Sequence, residues 1–423
     1  MQLKLATELD VTERLAPVIL GADILGYTLC RTFWEEYGLT SIVLGTADVK
    51  ATSSSKFCEY RVVPKIEDAA YLVTYLSELG EQLASAGKVG LLLGCGDWYA
   101  RTLSKHKETL EQWFVVPYID FDLLDRLTQK EVFYGLCEEL GIAYPKTWTF
   151  DCSDADATID VHAFTYPLIA KPSNSAAYHY AEFPGKKKIF EIERPEELAR
   201  VFDELKRSSY DRELIVQEFI PGPDDGLRSI TIFIDEHGEP VMKCMGRVVL
   251  QDHAPSAIGN PVCILSEWAE QPMEDACRLL KHVGYRGFAN FDVKVDPRDG
   301  SYRFFEVNTR MGRNSYYVNL AGGNIARMIV DEYVLGCGHA PVDASRRFLY
   351  ACVPAYVVKR SVEDEALRRE VLALYRDKTA AFPLFCSKDT WRQRFWALVT
   401  YYNQIRKFKR FFWDTDGKQV DVA

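Results

Sequence analysis

Three oxygen-bearing side chains fall close together on two consecutive predicted strands. The segment FDVKVDPRDGSYRFFEVN (residues 291–308) predicts a hairpin with its turn at residues 297–300. Glu306 and Asn308 are two residues apart, so they point to the same face of their strand, and Asp292 lies on the neighbouring strand. Carboxylate and amide oxygens are ligands that Mg²⁺ prefers. The spacing therefore predicts a magnesium site on one face of the hairpin.

Two arginines follow this hairpin directly. Arg310 and Arg313 come shortly after Asn308 in the segment EVNTRMGR. Guanidinium groups beside carboxylates and a metal ion suit a site that binds phosphate or carboxylate anions. The alternative is a solvent-facing acidic hairpin whose carboxylates merely pair with arginines. We disfavour it because the amide, both carboxylates and both arginines fall together beside apolar strands.

Composition and charge narrow the class of protein. The 423 residues are 48% hydrophobic and 26% charged, as in ordinary soluble proteins, and this length suggests about three domains or subdomains. A net charge of −10 argues against a general nucleic-acid-binding protein, because few cations are available to displace phosphate counterions. No run approaches the roughly 20 apolar residues of a transmembrane helix, and the N-terminus does not resemble a signal peptide.

The cysteines and the absent motifs exclude several chemistries. The sequence has 11 cysteines, dispersed and without any Cys-x-x-Cys, which argues against a zinc ribbon or a thioredoxin-like site. An odd, scattered set fits free thiols in a reducing compartment, so a cytoplasmic location is expected. The sequence also contains no Walker lysine loop, no Gly-x-Ser-x-Gly and no His-Glu-x-x-His.

The N-terminal region has the pattern of a small α/β domain. Residues 17–45 predict a strand ending at Gly21, an amphipathic helix that stops at a glycine, and a second strand. Such a βαβ unit indicates a parallel sheet, to which Val89–Leu93 adds a further strand. We expect a Rossmann-like domain extending to about Leu124. Gly21 and Gly26 lack the third glycine of a dinucleotide fingerprint, so a NAD site is disfavoured.

The rest of the chain changes to longer helices and antiparallel strands. We expect a helix from Asp122 to Leu140 and a hairpin that begins at Arg228 and turns at residues 236–238. Beyond about Val342, two more helical segments are predicted. The other predicted elements are strands at Tyr166–Lys171 and Leu214–Ile220, and helices at Pro195–Arg207, Glu267–Val283 and Ile325–Val334.

The metal-binding hairpin and four further blocks together resemble the ATP-grasp enzymes. Residues 306–313 (EVNTRMGR) resemble the metal-binding strand of that superfamily, especially in the branch that includes carbamoyl-phosphate synthetase and biotin carboxylase. The other blocks, in chain order, are residues 128–130 (TQK), 141–148 (GIAYPKTW), 166–172 (YPLIAKP) and 216–222 (VQEFIPG). The first domain, the loop after Lys171 and the basic-aromatic tail resemble the bacterial carboxylate–amine ligases of this superfamily, so the resemblance covers nearly the whole chain.

This resemblance implies an α/β and α+β multidomain fold. Its parts would be a Rossmann-like N-terminal domain (1–124), an ATP-grasp small lobe (125–213), an ATP-grasp large lobe with the metal site (214–342) and a largely helical C-terminal extension (343–423). The polar loop Ser173–Lys188 would be the lid that closes over the phosphates.

The resemblance also implies roles in nucleotide binding. Lys130 and Lys171 would bind the phosphates of ATP, a role that suits a lysine at the end of a buried strand. The alternatives are a solvated helix face for Lys130 and a surface strand end for Lys171. The hinge would offer free backbone groups to the adenine edge, and an aspartate just after it would accept from the ribose or simply close a turn. These further nucleotide contacts would be Ser173, Gln217, Glu218, Phe219, Ile220 and Asp224.

Metal and substrate contacts follow from the same resemblance. Mg²⁺, with Mn²⁺ as a permitted substitute, would be held by Asp292, Glu306 and Asn308. Arg310 and Arg313 would hold the acid and the transferring phosphoryl group. Further candidates for substrate contact are Arg247, on the preceding hairpin, and His253, although a loop histidine is more often simply solvated.

The implied activity is ATP-dependent amide formation through an acyl phosphate. The resemblance implies that D-aspartate is the acid and that the lysine side chain of a peptidoglycan precursor, a muropeptide, is the amine acceptor. Two alternatives stay open: a bicarbonate-activating enzyme of the carbamoyl-phosphate synthetase or carboxylase type, and a nucleotide-binding module without activity. A homodimer is compatible with the resemblance, since large α/β ligases of this kind are often dimers, but the sequence does not set the oligomeric state.

The C-terminal segment 391–413 mixes aromatic and basic residues. Several of them fall near one helical stripe, namely Phe395, Leu398, Tyr402, Ile405, Lys409 and Phe412. The favoured interpretation is a helix packed on the catalytic core. The alternative is a surface for peripheral contact with the inner membrane leaflet or with another anionic partner.

Overall fold

A computed structural model describes residues 5–154, 156–173, 178, 181–187, 189–254 and 257–414. Within these residues the strands form three sheets, and each sheet corresponds to one part of the predicted multidomain fold. The prediction of an α/β and α+β fold is confirmed, while the exact domain boundaries stay predictions.

The N-terminal sheet is parallel and is wound in two directions. Its strands are β1 (Leu15–Leu20), β2 (Ser41–Gly45), β3 (Cys58–Val62), β4 (Val89–Gly94) and β5 (Phe114–Val115), in the order β3-β2-β1-β4-β5. Its helices are α1 (Glu8–Arg14), α2 (Ile24–Tyr37), α3 (Lys50–Ser53), α4 (Ala69–Ser85), α5 (Asp97–Lys105) and α6 (Lys107–Leu110). The chain winds outward from β1 on one side and from β4 on the other. Their carboxyl ends therefore border the crevice where ligands of such sheets bind.

Two short helices replace the single helix predicted over Asp122–Leu140. They are α7 (Phe121–Thr128) and α8 (Lys130–Glu139), and Gln129 between them has an extended backbone with φ −80° and ψ 119°. The break lets both helices bury apolar residues in one core, including Leu127 and Phe133. Lys130 is the first residue of α8, whereas the sequence prediction had placed it in the middle of a longer helix.

The small lobe is a four-stranded antiparallel sheet. Its strands are β6 (Thr147–Asp151), β7 (Leu168–Pro172), β8 (Phe190–Ile192) and β9 (Glu213–Glu218), in the order β6-β9-β7-β8. The helix α9 (Pro195–Arg207) packs on it through buried residues such as Leu198 and Phe202, which belong to a core of this lobe alone.

The large lobe is built on an eight-stranded sheet that contains both predicted hairpins. Its strands are β10 (Leu227–Ile234), β11 (Pro240–Gln251), β12 (Pro261–Ser266), β13 (Gly287–Val295), β14 (Tyr302–Asn308), β15 (Val342–Ala344), β16 (Leu349–Ala351) and β17 (Ala380–Ala381). The order is β14-β13-β10-β11-β12-β16-β17, with β15 beside β11. Its helices are α10 (Glu270–His282), α11 (Tyr316–Leu320) and α12 (Ile325–Ile329), and the last of these continues as a π-helical turn, Val330–Leu335.

The C-terminal extension holds more structure than its pattern predicts. It contains α13 (Ala355–Ser361), α14 (Glu365–Arg376) and α15 (Trp391–Phe408), followed by a π-helical turn, Lys409–Trp413. Two helical segments were predicted. The strands β16 and β17 extend the large-lobe sheet by backbone pairing, and strands of two or three residues are too short to leave a periodic pattern.

One hydrophobic core joins the N-terminal domain, the large lobe and the extension. Buried Tyr27 and Phe33 of α2 share this core with Tyr317 of α11, Tyr350 of β16 and Ala397 of α15. The N-terminal domain is therefore packed firmly against the lobe that carries the predicted metal site. Among the described residues, no helix combines the length and the apolar character needed to cross a bilayer.

Candidate active site

The hairpin of β13 and β14 brings the predicted metal ligands together. Asp292 and Glu306 are direct cross-strand partners, so their side chains project from the same face. Asn308 donates its side-chain Nδ2 to Asp292 Oδ2 at 3.2 Å. Two carboxylates and one carboxamide thus share one face of the sheet, in the arrangement expected from the spacing of the residues.

The electrostatics of this face favour a bound cation. Burial and the facing Glu306 carboxylate raise the pKa of Asp292 to about 7, although Asn308 and Arg310 act in the opposite direction. A divalent cation between the two carboxylates would favour the ionised form of both. Within the described part of the chain, no three His, Cys, Asp or Glu residues cluster to hold a metal, so the amide of Asn308 would complete the set. Oxygen-only ligands of this kind suit Mg²⁺ better than Zn²⁺.

Two lysines from different elements lie beside the carboxylates. Lys130, at the start of α8, places its Nζ 3.6 Å from Glu306 Oε2. Lys171 projects from β7 of the small lobe. Burial and the neighbouring Lys130 ammonium lower the pKa of Lys171 to about 8. Two adjacent ammonium groups repel each other unless an anion lies between them, so this corner suits a phosphate group.

The two arginines after β14 are held by carboxylates of the N-terminal domain. Arg310 forms a bidentate pair with Asp97, with Nε–Oδ1 at 2.7 Å and Nη2–Oδ2 at 2.9 Å. Arg313 Nε lies 3.1 Å from Asp23 Oδ2. Asp23 follows β1 and Asp97 follows β4, so both come from the crevice of the parallel sheet. These two ion pairs therefore connect the crevice to the loop that follows the β13–β14 hairpin.

The loop that carries the arginines is fixed by close backbone packing. A Cβ at Gly312 would lie 2.0 Å from Asn290 Oδ1, so only glycine fits there. Asn290 and Asn314 each donate to Ser229 Oγ, at 3.1 and 3.2 Å. These contacts tie the loop to β13 and β10, and thereby set the positions from which the arginines project.

Two cavities meet at Arg313. The first, of about 340 Å³, is lined by the predicted metal ligands and by Asp97, Arg228, Asn290, Arg310 and Arg313. The second, of about 470 Å³, lies at the crevice of the N-terminal sheet and is lined among others by Gly21, Asp23, Cys95, Arg313 and Gln404. Since Arg313 borders both, a ligand in one cavity can be adjacent to a ligand in the other.

The hinge offers fewer free backbone groups than predicted. Gln217 pairs with Thr147 of β6 and with Ile169 of β7, so the prediction of free backbone groups is wrong at this residue. Its side-chain Nε2 donates to Thr147 Oγ1 at 2.8 Å. The reason is topological: β9 is a central strand, and both of its edges are occupied.

The next hinge residues are partly engaged as well. Glu218 donates its N–H to Lys146 O at 2.8 Å, and Phe219 donates to Pro167 O at 3.4 Å. The carbonyl of Ile220 accepts from Lys294 Nζ at 2.9 Å. Among the described residues, no hydrogen-bond partner meets the N–H of Ile220, although this residue is buried. That N–H is the hinge donor left for a ligand.

Comparison with known proteins places this arrangement in a family. The family model described as "Carbamoyl-phosphate synthase L chain, ATP binding domain" matches residues 130–329. A D-aspartate ligase from Enterococcus faecium is 34% identical over 421 residues, which cover 96% of this chain and 98% of the relative. The chain belongs to the ATP-grasp carboxylate–amine ligases.

Solved structures agree on the fold of this ATP-grasp ligase. A biotin carboxylase domain from Hydrogenobacter thermophilus, in complex with magnesium ADP, ADP and bicarbonate, gives a TM-score of 0.55 at 12% identity, covering 78% of this chain and 72% of that chain. An L-amino acid ligase from Bacillus licheniformis gives 0.51 at 15% identity, covering 79% and 76%. At such low identities these likenesses show the fold alone. The sequence identity to the D-aspartate ligase identifies the chain as an ATP-dependent enzyme that joins a carboxylic acid to an amine.

Three predicted contacts of the ATP-grasp ligase are occupied by other parts of the protein. Asp224 accepts from the backbone N–H and side chain of Gln251, at 3.0 and 2.8 Å, and meets His253 Nε2 at 2.9 Å. Both oxygens of Asp224 are thus engaged within the protein, and its contact with the ribose stays a prediction. The ring of His253 packs on Phe412 of the C-terminal turn, with centroids 4.3 Å apart. The C-terminal extension thus covers part of the ring, and the substrate role of His253 stays a prediction.

Arg247 is likewise turned away from the first cavity. Its Nε donates to Asp225 O at 3.0 Å, and its Nη2 lies 3.3 Å from Asp225 Oδ2. The cross-strand neighbour Arg228 lines the cavity instead and pairs with Glu267 at 3.1 Å. The hairpin was therefore predicted correctly, but the arginine at the cavity is a different one.

The lid prediction falls partly outside the described residues. Ser173 is exposed at the end of β7, where its N–H donates to Glu213 O at 2.9 Å. Residues 174–177, 179, 180 and 188 of the predicted lid Ser173–Lys188 lie outside the described part of the chain. The roles of Ser173 in nucleotide binding and of this loop as a lid stay predictions.

Sequence reasoning missed the carboxylates that hold the arginines. Asp97 stands in the Gly94–Asp97 segment after a predicted strand, and Asp23 follows the glycine at the end of β1. Their positions at strand ends were a usable signal, because that edge of a parallel sheet is where ligands bind. Their partners are more than 200 residues away, however, and no local pattern connects them.

Proposed function

We propose that this ATP-grasp ligase uses ATP to join D-aspartate to the lysine side-chain amine of a peptidoglycan precursor. The observation that carries the proposal is the 34% identity to a D-aspartate ligase over nearly the full length of both chains. The geometry supports it, since cations and metal-type ligands meet in a cavity of about 340 Å³.

In the proposed reaction, a carboxylate oxygen of the acid attacks the γ-phosphorus of ATP. This gives an acyl phosphate and ADP. The neutral amine then attacks the acyl carbon, phosphate leaves with the electron pair of the broken C–O bond, and the amine loses a proton to form the amide. Negative charge develops on the transferring phosphoryl group, so fixed cations are the main catalytic requirement.

The cations of this chain are placed for that requirement. Lys130 and Lys171 would bind ATP phosphates from the small-lobe side, and Arg310 and Arg313 would hold the acid and the transferring phosphoryl group from the N-terminal side. Arg228 lines the same cavity and adds a further positive charge. D-aspartate carries two carboxylates, and an arginine-lined cavity suits such a dianion.

Asp292, Glu306 and Asn308 would hold Mg²⁺, which neutralises phosphate charge when bound. The raised pKa of Asp292 supports this assignment, because burial and the facing Glu306 carboxylate disfavour the ionised form, which a bound cation would stabilise. Mn²⁺ would fit the same oxygen ligands. The adenine would contact the hinge at the N–H of Ile220 and at the apolar side chains of Phe219 and Ile220, with Glu218 beside them.

The second cavity is the proposed route for the amine acceptor. It opens at the N-terminal crevice, has about 470 Å³ and reaches Arg313, which also borders the first cavity. An amine entering from this side would reach an acyl group held at Arg313. Carboxylates of the crevice, Asp23 and Glu67, would accept from an ammonium group on the way.

A phosphate-release assay over D- and L-amino acids tests the proposal, with and without a lysine-containing nucleotide-linked muropeptide. We expect phosphate release with D-aspartate and the muropeptide together, and an amide product with the summed mass less water. Activity with another acid while D-aspartate is inactive would overturn the substrate but keep the ligase. Phosphate release driven by bicarbonate alone would instead favour a bicarbonate-activating enzyme of the carbamoyl-phosphate synthetase or carboxylase type.

The metal assignment has its own variant in the same assay. Glu306→Gln should reduce turnover by about 10²-fold or more, because losing one electrostatic contact to the transition state costs about 3 kcal/mol. Glu81→Gln, at an exposed position of α4, is the matched control and should keep full activity. Full activity of Glu306→Gln would show that the metal site is elsewhere.

A further inference from the structure

The helix α15 presents an apolar stripe to solvent. Trp391 is 71% exposed, Phe395 54% and Tyr402 58%, and Leu398 and Val399 between them are exposed as well. Spacings of three and four residues place these side chains on one face of the helix. Scattered exposed apolar residues are ordinary on a protein surface, but a contiguous aromatic stripe marks an interaction site.

The opposite face of the helix explains why the stripe points outward. Gln393, Ala397 and Phe408 are buried against the core. The amide Nε2 of Gln393 donates to Leu384 O at 2.6 Å and to Ala51 O at 3.2 Å. These anchors fix the rotation of α15, so the stripe cannot turn inward. The helix therefore packs on the core, as the sequence favoured, but Phe395, Leu398 and Tyr402 are not among the side chains that pack there.

The same segment carries positive charge on an acidic protein. Residues 391–410 contain six lysines and arginines and no aspartate or glutamate, whereas the whole chain has a net charge of −10. Lys407 pairs with the buried Asp252, while Arg392, Arg406, Lys409 and Arg410 are exposed. At 3.6 residues per turn, Arg392 and Arg406 lie within about 100° of the stripe. The cations therefore border the apolar face.

We propose that this face of α15 docks on a bilayer surface that contains anionic lipids. Tryptophan and tyrosine favour the boundary between headgroups and acyl chains, and phenylalanine, leucine and valine would enter the acyl edge. The bordering cations would contact lipid phosphates. Because the chain as a whole has a net charge of −10, this basic segment is a part of the protein that such a bilayer would attract. Among the described helices none can span a bilayer, so the contact is peripheral.

Charge argues against the second occupant that such a stripe could have. In a symmetric dimer through α15, the four exposed cations of each copy would be brought close to those of the other copy. Like charges brought together in this way oppose association, whereas an anionic lipid surface neutralises them. The lipid surface is therefore the occupant that fits both the apolar stripe and its border.

Docking would also orient the second cavity. Gln404 of α15 lines this cavity, while Tyr402, two residues earlier, belongs to the stripe. One helix therefore contributes to both surfaces, and a helix is only about 10 Å across with its side chains. The cavity mouth would consequently lie close to the bilayer, without any change in the buried contacts of the helix.

Vesicle sedimentation with the full-length chain tests the proposal. Vesicles of phosphatidylcholine alone are compared with an equal mixture of phosphatidylcholine and phosphatidylglycerol, at low and at high salt. We expect binding to the mixed vesicles, release by salt, and little binding to phosphatidylcholine. The double variants Phe395→Ser with Tyr402→Ser and Arg406→Glu with Lys409→Glu should each reduce the partition coefficient by about tenfold or more.

Matched controls separate this surface from general effects. Leu9→Ser, at a residue 68% exposed on α1, and Lys65→Glu, at an exposed position before α4, should bind as the unchanged protein does. All variants should keep the far-UV circular dichroism and the phosphate-release rate measured without vesicles, because no residue of the stripe belongs to the catalytic site.

Three results would overturn the proposal. One is the absence of binding to the mixed vesicles at low salt. Another is equal binding to both kinds of vesicle, which would remove the role of charge. The third is a dimer in light scattering that the stripe substitutions dissolve while vesicle binding is absent, which would show that the face is covered by a second copy.

Discussion

At the residue scale, Asp292 in β13 and Asp296 just after the strand have opposite electrostatics. Burial and the facing Glu306 raise the pKa of Asp292 to about 7. Four residues later, hydrogen bonds from the Arg298 side chain lower the pKa of Asp296 to about 2. Asp292 is thus a site of repulsion that a ligand can relieve, whereas Asp296 is a structural ion pair that holds the turn of the hairpin.

The first prediction concerns Asp292→Asn in metal-free protein. The folded-state pKa of Asp292 exceeds its unfolded value, so stability falls as the pH rises from the unfolded pKa through about 7, and above that the fold bears the full cost of the ionised group. A neutral asparagine removes that cost. We expect the metal-free variant to be more stable at pH 8, by roughly 1–2 kcal/mol, in chemical unfolding with a chelator present. Addition of Mg²⁺ should stabilise the unchanged protein and leave the variant unaffected.

Asp296→Asn is the matched control for this prediction. Its folded-state pKa lies below the unfolded value, so its ionised form contributes stability at neutral pH that is lost as the pH falls through about 2. The substitution should therefore destabilise the protein at pH 8, opposite in sign to Asp292→Asn. A loss of stability in Asp292→Asn would contradict the account of repulsion between the carboxylates.

At the scale of elements, the register of β13 and β14 and the loop after them set the site. The cross-strand pairing of Asp292 with Glu306 places both carboxylates on one face, and Gly312 lets the following loop close against Asn290. A shift of one residue in the register would move the carboxylates to the opposite face. The hairpin and its loop therefore act as one unit.

The second prediction is that Gly312→Ala disrupts this unit. The new Cβ would lie 2.0 Å from Asn290 Oδ1 and 2.9 Å from Asn314 Oδ1, so the loop must move. We expect a loss of roughly 1–3 kcal/mol in stability, as for other overpacked sites, measured by chemical unfolding. The phosphate-release rate should fall by more than tenfold, because Arg310 and Arg313 leave their positions.

Gly135→Ala provides the comparison. Gly135 lies within α8, and nothing stands within 4 Å of a Cβ there. Alanine should therefore stabilise the helix by about 1 kcal/mol and leave the activity unchanged. Equal effects of the two substitutions would show that the packing at Gly312 does not control the site.

At the scale of the whole molecule, the N-terminal domain completes the site of the large lobe. The two parts share a hydrophobic core, and Asp97 and Asp23 hold Arg310 and Arg313. Arg310 is mostly buried while Asp97 is exposed. Breaking the pair would therefore leave a buried guanidinium without this carboxylate. The N-terminal domain therefore positions the two arginines of the large lobe that are proposed to be catalytic.

The third prediction is that Asp97→Asn impairs catalysis through Arg310. Loss of a charge-assisted pair costs about 1.5–3 kcal/mol, which corresponds to roughly a 10- to 100-fold fall in kcat/KM for the acid. Asp125→Asn breaks another aspartate–arginine pair, with Arg101 at 2.6 Å, in which the arginine is more exposed than Arg310, and should leave the kinetics unchanged. Should Asp97→Asn lower only the melting temperature, with kcat and KM intact, its role would be structural.

The local sequence pattern was sufficient to predict some of these features. Alternation and a turn signal predicted the hairpin that carries Asp292, Glu306 and Asn308, because strand periodicity alone decides which side chains share a face. The parallel N-terminal sheet followed in the same way from a strand, a glycine turn and an amphipathic helix. Such features depend on neighbours in the sequence, so the sequence determines them.

Other features were decided only by tertiary structure. The stripe of α15 points to solvent because buried Gln393 fixes the rotation of the helix, and the carbonyls that bind Gln393 belong to distant segments. Asp224 binds His253 rather than a free ligand, and Asp97 binds Arg310 across 213 positions of the chain. Periodicity tells which residues share a face, but only the folded chain determines what covers that face, because packing and ion pairing act through space.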